Sequence, residues 1–123
     1  MRREKIEYEI MKLEAEIREL RKKLDEARKS EREVEGIIKR REYVARFTEC
    51  PCCGTPIDRE RILEDIDWYR RRWAELRETI KSIEQEISER KARIWELRDT
   101  LIIFVGGEQD ENVEEFRYNG GGG

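Results

Sequence analysis

The sequence predicts an all-α fold, a long antiparallel coiled-coil helical hairpin with a cysteine-containing turn at its tip. Charged residues make up 46% of the 123 residues, and hydrophobic residues only 37%. Such a composition leaves too little apolar surface for a thick globular core, but it suits two helices that each bury one narrow stripe. Neither predicted helix contains a proline, because both prolines lie in the short segment between them.

Both helical segments carry a seam of apolar residues whose steps alternate between four and three positions, the spacing of a coiled coil. We predict a first helix over residues 1–48 and a second over residues 58–104. Glu31 and Arg90 interrupt the seams, and we expect their stems to lie along the seam while their charges reach water. The first seam comprises Ile6, Ile10, Leu13, Ile17, Leu20, Leu24, Ala27, Val34 and Ile38, and the second Ile62, Ile66, Tyr69, Trp73, Leu76, Ile80, Ile83, Ile87, Ile94, Leu97 and Leu101.

The two seams match each other when the chain is folded back on itself. If Ile6 lies opposite Leu101, the other seam residues of the first helix also meet seam residues of the second, except that Ile17 faces Arg90. In this register the reversal is centred between Cys53 and Gly54. The sequence therefore predicts both an antiparallel hairpin and the position of its tip.

Several classes of protein are excluded by what the sequence lacks. No apolar run approaches the roughly 20 residues of a membrane span, and no secretory signal is found. We therefore expect a cytoplasmic or nucleoid-associated protein with no membrane partner. The chain contains no histidine, and no nucleophile–base pair or acid pair can be assembled. We expect neither an enzyme nor a small-molecule substrate.

The turn over residues 49–57 contains the residues with the clearest chemistry. Cys50 and Cys53 form a Cys-x-x-Cys pair, the spacing at which two thiolates converge on one tetrahedral metal ion. Pro51 fixes a backbone angle of the turn, and Gly54 permits a positive φ after the second cysteine. We predict Cys50 and Cys53 as metal ligands. A dithiol redox site and inert thiols are the alternatives, although the βαβ context usual for a redox pair is absent.

One such pair supplies two of the four ligands that a structural zinc site needs. The only other cysteine, Cys52, is flanked by the pair and is expected to point away across the turn. Two chains, each giving Cys50 and Cys53, complete the site with twofold symmetry. The expected cofactor is one zinc ion shared between two chains, and the expected partner is a second copy of the chain.

The Cys-Pro-x-Cys-Gly motif, followed three positions later by Ile57 at a coiled-coil apex, resembles the zinc hook of the SMC-like DNA double-strand-break-repair ATPases. The resemblance covers roughly residues 1–104, but only the knuckle is specific in sequence. It implies that two coiled-coil arms meet apex to apex through four thiolates on one zinc ion and tether DNA-bound complexes. It also implies that Cys50 and Cys53 bind the metal, that Pro51 and Gly54 shape the knuckle, and that Ile57 packs beneath it.

Two functional hypotheses follow, because the phosphate-binding loop, signature motif and magnesium ligand of an ATPase head are all missing from the sequence. The first is a non-enzymatic, zinc-dependent homodimerisation and tethering module of a DNA-repair or chromosome-associated SMC-like protein. The alternative is a free-standing small coiled-coil adaptor or regulator that binds a larger protein or nucleic-acid machine. In that case zinc only stiffens the tip.

Two further segments carry weaker signals. Residues 105–123 are acidic and glycine-rich, and we predict a non-helical tail that is flexible or forms a short hairpin with strands near 101–105 and 113–118. Two basic clusters become neighbours in the hairpin and are candidate contacts for nucleic acid or a protein partner, or else solvated helix faces. The clusters are Lys39, Arg40 and Arg41 on the first helix, and Arg70, Arg71 and Arg72 on the second.

Overall fold

The computed structural model describes residues 2–108 and shows two helices, α1 (Arg3–Val44) and α2 (Arg59–Glu108), joined by a turn. The helices pack as a helical hairpin, and no strand occurs within the described range. The predicted all-α hairpin is confirmed. Over the same residues, neither helix has a stretch both long and apolar enough to cross a membrane.

The helix boundaries differ from the predicted ones at two places. α1 ends at Val44, before the predicted limit of 48, because the chain tightens there into turns closed by bonds such as Phe47 N–H to Val44 O (3.1 Å). α2 continues to Glu108, so residues 105–108, assigned to the tail, are helical. The prediction of a strand near 101–105 is wrong, because the backbone there is helical. The remainder of the predicted tail, 109–123, lies outside the described residues.

The start of α2 is fixed by a side-chain cap. Asp58 precedes the helix, and its Oδ1 accepts a hydrogen bond from the backbone N–H of Arg61 at 3.2 Å. This is the N-cap bond that satisfies one of the orphan donors of a first helical turn. The cap therefore sets where the chain leaves the turn.

The hairpin divides into two compact units, which we name the turn unit (Arg21–Gln85) and the terminal unit (Met1–Leu20 with Glu86–Gly123). Each has a core of apolar residues from both helices, and all of these residues except Ala45 are predicted seam positions. In the turn unit the core comprises Leu24, Ala27, Ile38, Ala45, Ile66, Leu76, Ile80 and Ile83; in the terminal unit it comprises Ile6, Ile10, Ile17, Leu20, Ile87, Ile94 and Leu97.

The two charged residues on the seams are half-buried and paired across the helices. In the turn unit, Glu31 lies 3.6 Å from the guanidinium of Arg77 on α2. In the terminal unit, Arg90 lies 3.7 Å from the Glu16 carboxylate on α1, while its Nη1 donates to the backbone oxygen of Glu86 at 3.1 Å. Their charges thus meet partners on the facing helix, rather than only water as expected.

Other ion pairs link the helices at the rim of each seam. They include Arg28–Glu84 (3.1 Å) and Arg70–Glu42 (3.0 Å) in the turn unit, and Arg93–Glu9 (3.5 Å) and Arg98–Glu14 (3.8 Å) in the terminal unit. Because these side chains are half-exposed, each pair contributes at most about 1 kcal/mol to stability. Their role is to favour one alignment of the two helices over others.

Candidate metal-binding turn

The turn is held by backbone hydrogen bonds between its two flanks. The N–H of Ile57 donates to Thr48 O at 3.0 Å, and the N–H of Cys50 donates to Thr55 O at 2.8 Å. Between these bonds, Glu49 and Pro56 form an isolated antiparallel bridge. The half-buried Ile57 therefore closes the base of the turn, and Cys50 to Thr55 form its head.

Gly54 allows the head of the turn to close. Its φ is 73°, in the left-handed region that L side chains rarely adopt, and its N–H donates to Cys50 O at 2.8 Å. Within the described residues, it has the only positive φ. The predicted role of this glycine is confirmed, since an L residue there costs roughly 1–2 kcal/mol.

The structure brings the two predicted metal ligands together. Gly54, the neighbour of Cys53, donates its N–H to the carbonyl of Cys50, which brings the two cysteines close together, and the Cys53 Sγ lies 3.0 Å from the Thr55 hydroxyl. Cys50 is half-buried, whereas Cys53 and Cys52 are exposed. The pair therefore lies at a head whose surface a second molecule can approach.

The environment of Cys53 favours its thiolate. The hydroxyl of Thr55 contributes most to lowering the pKa of Cys53, followed by the Thr55 backbone N–H and then the Cys50 side chain, while slight burial opposes them. Each of these contacts stabilises the charged sulfur. Because the thiolate is the form that binds metal, the turn prepares this ligand for a cation. Thr55 was not predicted as a functional residue.

The donor set fits half of a structural zinc site. Two thiols at Cys-x-x-Cys spacing, with backbone amide support at one sulfur, are the chemistry of a zinc knuckle. Within residues 2–108, no group of three or more cysteine, aspartate or glutamate residues is placed to hold a metal ion. The described part of the chain therefore offers two suitable thiol ligands at this turn.

Comparisons with known proteins do not assign a function to the turn. No protein-family model, curated protein or solved structure matches the chain. The functional interpretation therefore depends on the residues and geometry of the turn, together with the motif resemblance described above.

Most of the predicted basic contact residues are engaged in ion pairs. Lys39 pairs with Glu35, Arg70 with Glu42, Arg72 with Glu75, and Arg41 with Asp65 while also lying 4.9 Å from the Tyr69 ring. Within residues 2–108, Arg40 and Arg71 take part in no ion pair, and the Arg40 guanidinium lies beside Gly36. The clusters therefore offer less free positive charge than their sequence indicates.

Large apolar side chains are exposed on each unit. In the terminal unit, Tyr8, Met11 and Trp95 are 69%, 67% and 64% exposed, and the guanidinium of Arg98 lies 5.8 Å from the Trp95 ring. In the turn unit, Trp68 is 57% exposed and stacks edge-on against Tyr69. Such side chains commonly cover a helix surface or mark a contact with another protein.

Proposed function

We propose that this chain is a zinc hook, a non-enzymatic module that joins two copies of itself through one zinc ion. Cys50 and Cys53 of each copy would hold the ion, which supplies a rigid tetrahedral junction when bound. The observation that carries this proposal is the closed turn that holds Cys50 and Cys53 close together at its head, with Thr55 favouring the thiolate of Cys53.

Two copies are required because each turn offers only two thiolates that converge. Twofold symmetry places the same head from each copy on the shared ion, which gives four sulfur ligands. Structural zinc contributes about 10–16 kcal/mol of binding free energy in small peptides. A single ion is therefore sufficient to hold a small interface together.

The two helices serve as the arm of the hook in this proposal, and we assign them to an antiparallel coiled coil. The buried residues of each unit follow the seam spacing of a coiled coil, and ion pairs between the helices flank them. In this proposal, such an arm connects the zinc junction to the larger protein that the module serves. The module thus acts as a tether.

The biological setting in this proposal is a DNA-repair or chromosome-associated SMC-like protein, and it is supported by the motif resemblance alone. Contact with duplex DNA would depend chiefly on Arg40 and Arg71, the cluster residues without an ion pair. The double variant R40E/R71E should weaken DNA binding, compared with K23E/K29E, which changes the net charge equally on exposed lysines of the same unit. No DNA binding by the unmodified chain at low salt would contradict this part of the proposal.

Light scattering and zinc analysis of the purified chain test the proposal. We expect a dimer that contains one zinc ion per two chains and becomes a metal-free monomer after treatment with a strong chelator. Cys50→Ser and Cys53→Ser should each abolish the dimer, whereas Cys52→Ser, in the same turn, should leave it intact. A monomer that retains a full zinc ion, or a dimer that is indifferent to chelator, would overturn it.

The adaptor hypothesis remains as a second candidate because of the exposed apolar residues on the terminal unit. Tyr8, Met11 and Trp95 offer a surface that a larger protein can cover. An adaptor predicts a zinc-loaded monomer whose partner binding is lost with Trp95→Ser but not with Cys50→Ser. The tether predicts that Cys50→Ser has the larger effect on assembly.

A further inference from the structure

We propose that Cys50 and Cys53 are also an oxidation site, at which a peroxide converts the two thiols into an intramolecular disulfide. This inference rests on the proposed function, since the disulfide removes both metal ligands of a chain at once. Under oxidising conditions the two chains would then separate. Under reducing conditions the two thiols of each chain would be available to bind zinc. The zinc-dependent dimer is thereby coupled to the redox state of its surroundings.

The geometry of the turn favours this pairing. The turn brings Cys50 and Cys53 close together, because Gly54, next to Cys53, donates its N–H to the carbonyl of Cys50 at 2.8 Å. The Cys50 backbone is anchored at both ends, through its N–H to Thr55 O and through its carbonyl to the N–H of Gly54. A disulfide needs both the proximity and the mutual orientation of the two Cβ atoms, and this closed turn supplies the proximity.

Access to the turn allows an oxidant to reach the pair. Cys53 is exposed, whereas Cys50 is half-buried. The first oxidation is therefore expected at Cys53, with Cys50 as the resolving thiol.

The reaction balances with hydrogen peroxide as the oxidant. The Cys53 sulfur attacks one peroxide oxygen, an S–O bond forms, the O–O bond breaks, and hydroxide leaves and is protonated to water. The Cys50 sulfur then attacks the resulting sulfenic acid, an S–S bond forms, and a second water leaves. The pair loses two electrons and two protons in all, and the peroxide is reduced to two waters.

Metal and oxidation should oppose each other at this pair. A sulfur that coordinates a cation has its electron pair engaged and is a weaker nucleophile, while a disulfide sulfur has no charge with which to bind the cation. Zinc should therefore slow formation of the disulfide. The disulfide should in turn abolish zinc uptake.

The test treats the reduced, metal-free full chain with hydrogen peroxide and maps its disulfides by peptide mass spectrometry. We expect a Cys50–Cys53 link, loss of zinc uptake and of the zinc-dependent dimer, and recovery of both with a thiol reductant. Cys52→Ser should behave in the same way, and prior addition of zinc should slow the reaction. In Cys50→Ser the link cannot form, so Cys53 should instead accumulate as higher oxides or as disulfides between chains.

The outcomes separate this inference from the proposed function. If the reduced chain takes up no zinc, the hook itself fails, whatever the mass spectra show. If the reduced chain dimerises with zinc but peroxide yields mainly disulfides of Cys52 or sulfinic acid, the oxidation site is refuted and the hook stands. A Cys50–Cys53 disulfide that leaves zinc-dependent dimerisation unchanged would show that these thiols do not hold the ion, and it would refute both the hook and its coupling to oxidation.

Discussion

At the residue scale, Thr55 contributes most to lowering the pKa of Cys53, a candidate metal ligand, although Thr55 lies outside the Cys-x-x-Cys motif. Its hydroxyl and its backbone N–H both contact the Cys53 sulfur. The motif predicted which thiols converge and that Gly54 has a positive φ. It did not predict Thr55, because a hydroxyl can point towards or away from a neighbouring sulfur and only the folded turn decides which.

Replacing Thr55 tests this contact directly. In the metal-free chain, Thr55→Val should raise the pKa of Cys53, because it removes the hydrogen bond that contributes most to lowering it. Ultraviolet absorbance of the thiolate against pH measures the change. Thr48→Val, in the opposite flank of the turn, is the control and should leave the titration unchanged. A Cys53 pKa that stays the same in Thr55→Val would contradict the assignment.

The same pKa predicts the sign of a pH effect on stability. A thiol whose pKa is lower in the folded than in the unfolded chain stabilises the fold above the unfolded pKa, and this contribution is lost as the pH falls through the folded pKa. The stability difference between the parent chain and Thr55→Val should therefore shrink on acidification. Urea unfolding of the two metal-free proteins at several pH values measures it. The effect should be small, because Cys53 is exposed.

The two glycines of the turn unit should respond oppositely to alanine. No atom of the described residues lies within 4 Å of a Cβ placed at Gly54, so Gly54→Ala should destabilise the turn through its positive φ alone, by about 1–2 kcal/mol. Gly36 lies inside α1, where alanine should stabilise the helix by up to about 1 kcal/mol, since the flexible Arg40 end at 3.4 Å can shift. Zinc competition and thermal unfolding compare the two. Equal effects of both variants would contradict this account of the turn.

At the scale of elements, periodicity predicted the helices and their buried face well. All predicted seam residues within the described range are buried or half-buried. The seam could not predict the ends of the helices, because the last turns contribute few core contacts. Gly106 and Gly107 do not end α2, because a helical glycine costs only about 1 kcal/mol relative to alanine, and the helix continues through both.

Arg90 offers a test of the seam itself. Its Nε is buried without a hydrogen-bond partner, and its ion pair with Glu16 is long. Arg90→Met should therefore raise the free energy of unfolding by about 1 kcal/mol, because an apolar side chain packs there without that cost. Leu97→Ala, at a residue only 2% exposed in the same unit, should lower it by about 2–5 kcal/mol. If urea unfolding shows that Arg90→Met is clearly destabilising, the Arg90–Glu16 ion pair contributes more to stability than apolar packing at this seam position.

At the scale of the whole molecule, the proposed dimer depends on contacts with a second chain, which the structure of one chain does not contain. A motif with two ligands predicts an incomplete site, and in the proposed hook the missing ligands come from a second molecule, whose approach no single sequence encodes directly. The arrangement of the arms in a dimer depends in the same way on contacts between copies. For these reasons the turn was predictable from sequence, whereas the assembly needs measurement.

Zinc should stabilise the folded chain in a way that depends on chain concentration. A ligand that binds only the folded dimer raises the melting temperature, and a dimer melts at a higher temperature when its concentration is raised. We expect both effects in the parent chain and in Cys52→Ser, and neither in Cys50→Ser or Cys53→Ser. Thermal unfolding by circular dichroism, with and without zinc, measures them. A zinc-induced shift that is independent of chain concentration would indicate a site within one chain.

The most direct measurement is X-ray absorption at the zinc edge of the Cys52→Ser variant. This chain retains only two cysteines, so a zinc ion bound by one copy can have at most two sulfur ligands. We predict four sulfur ligands at about 2.3 Å, which only two copies can supply. A shell of two sulfurs completed by oxygen or nitrogen would show a site within one chain and contradict the hook.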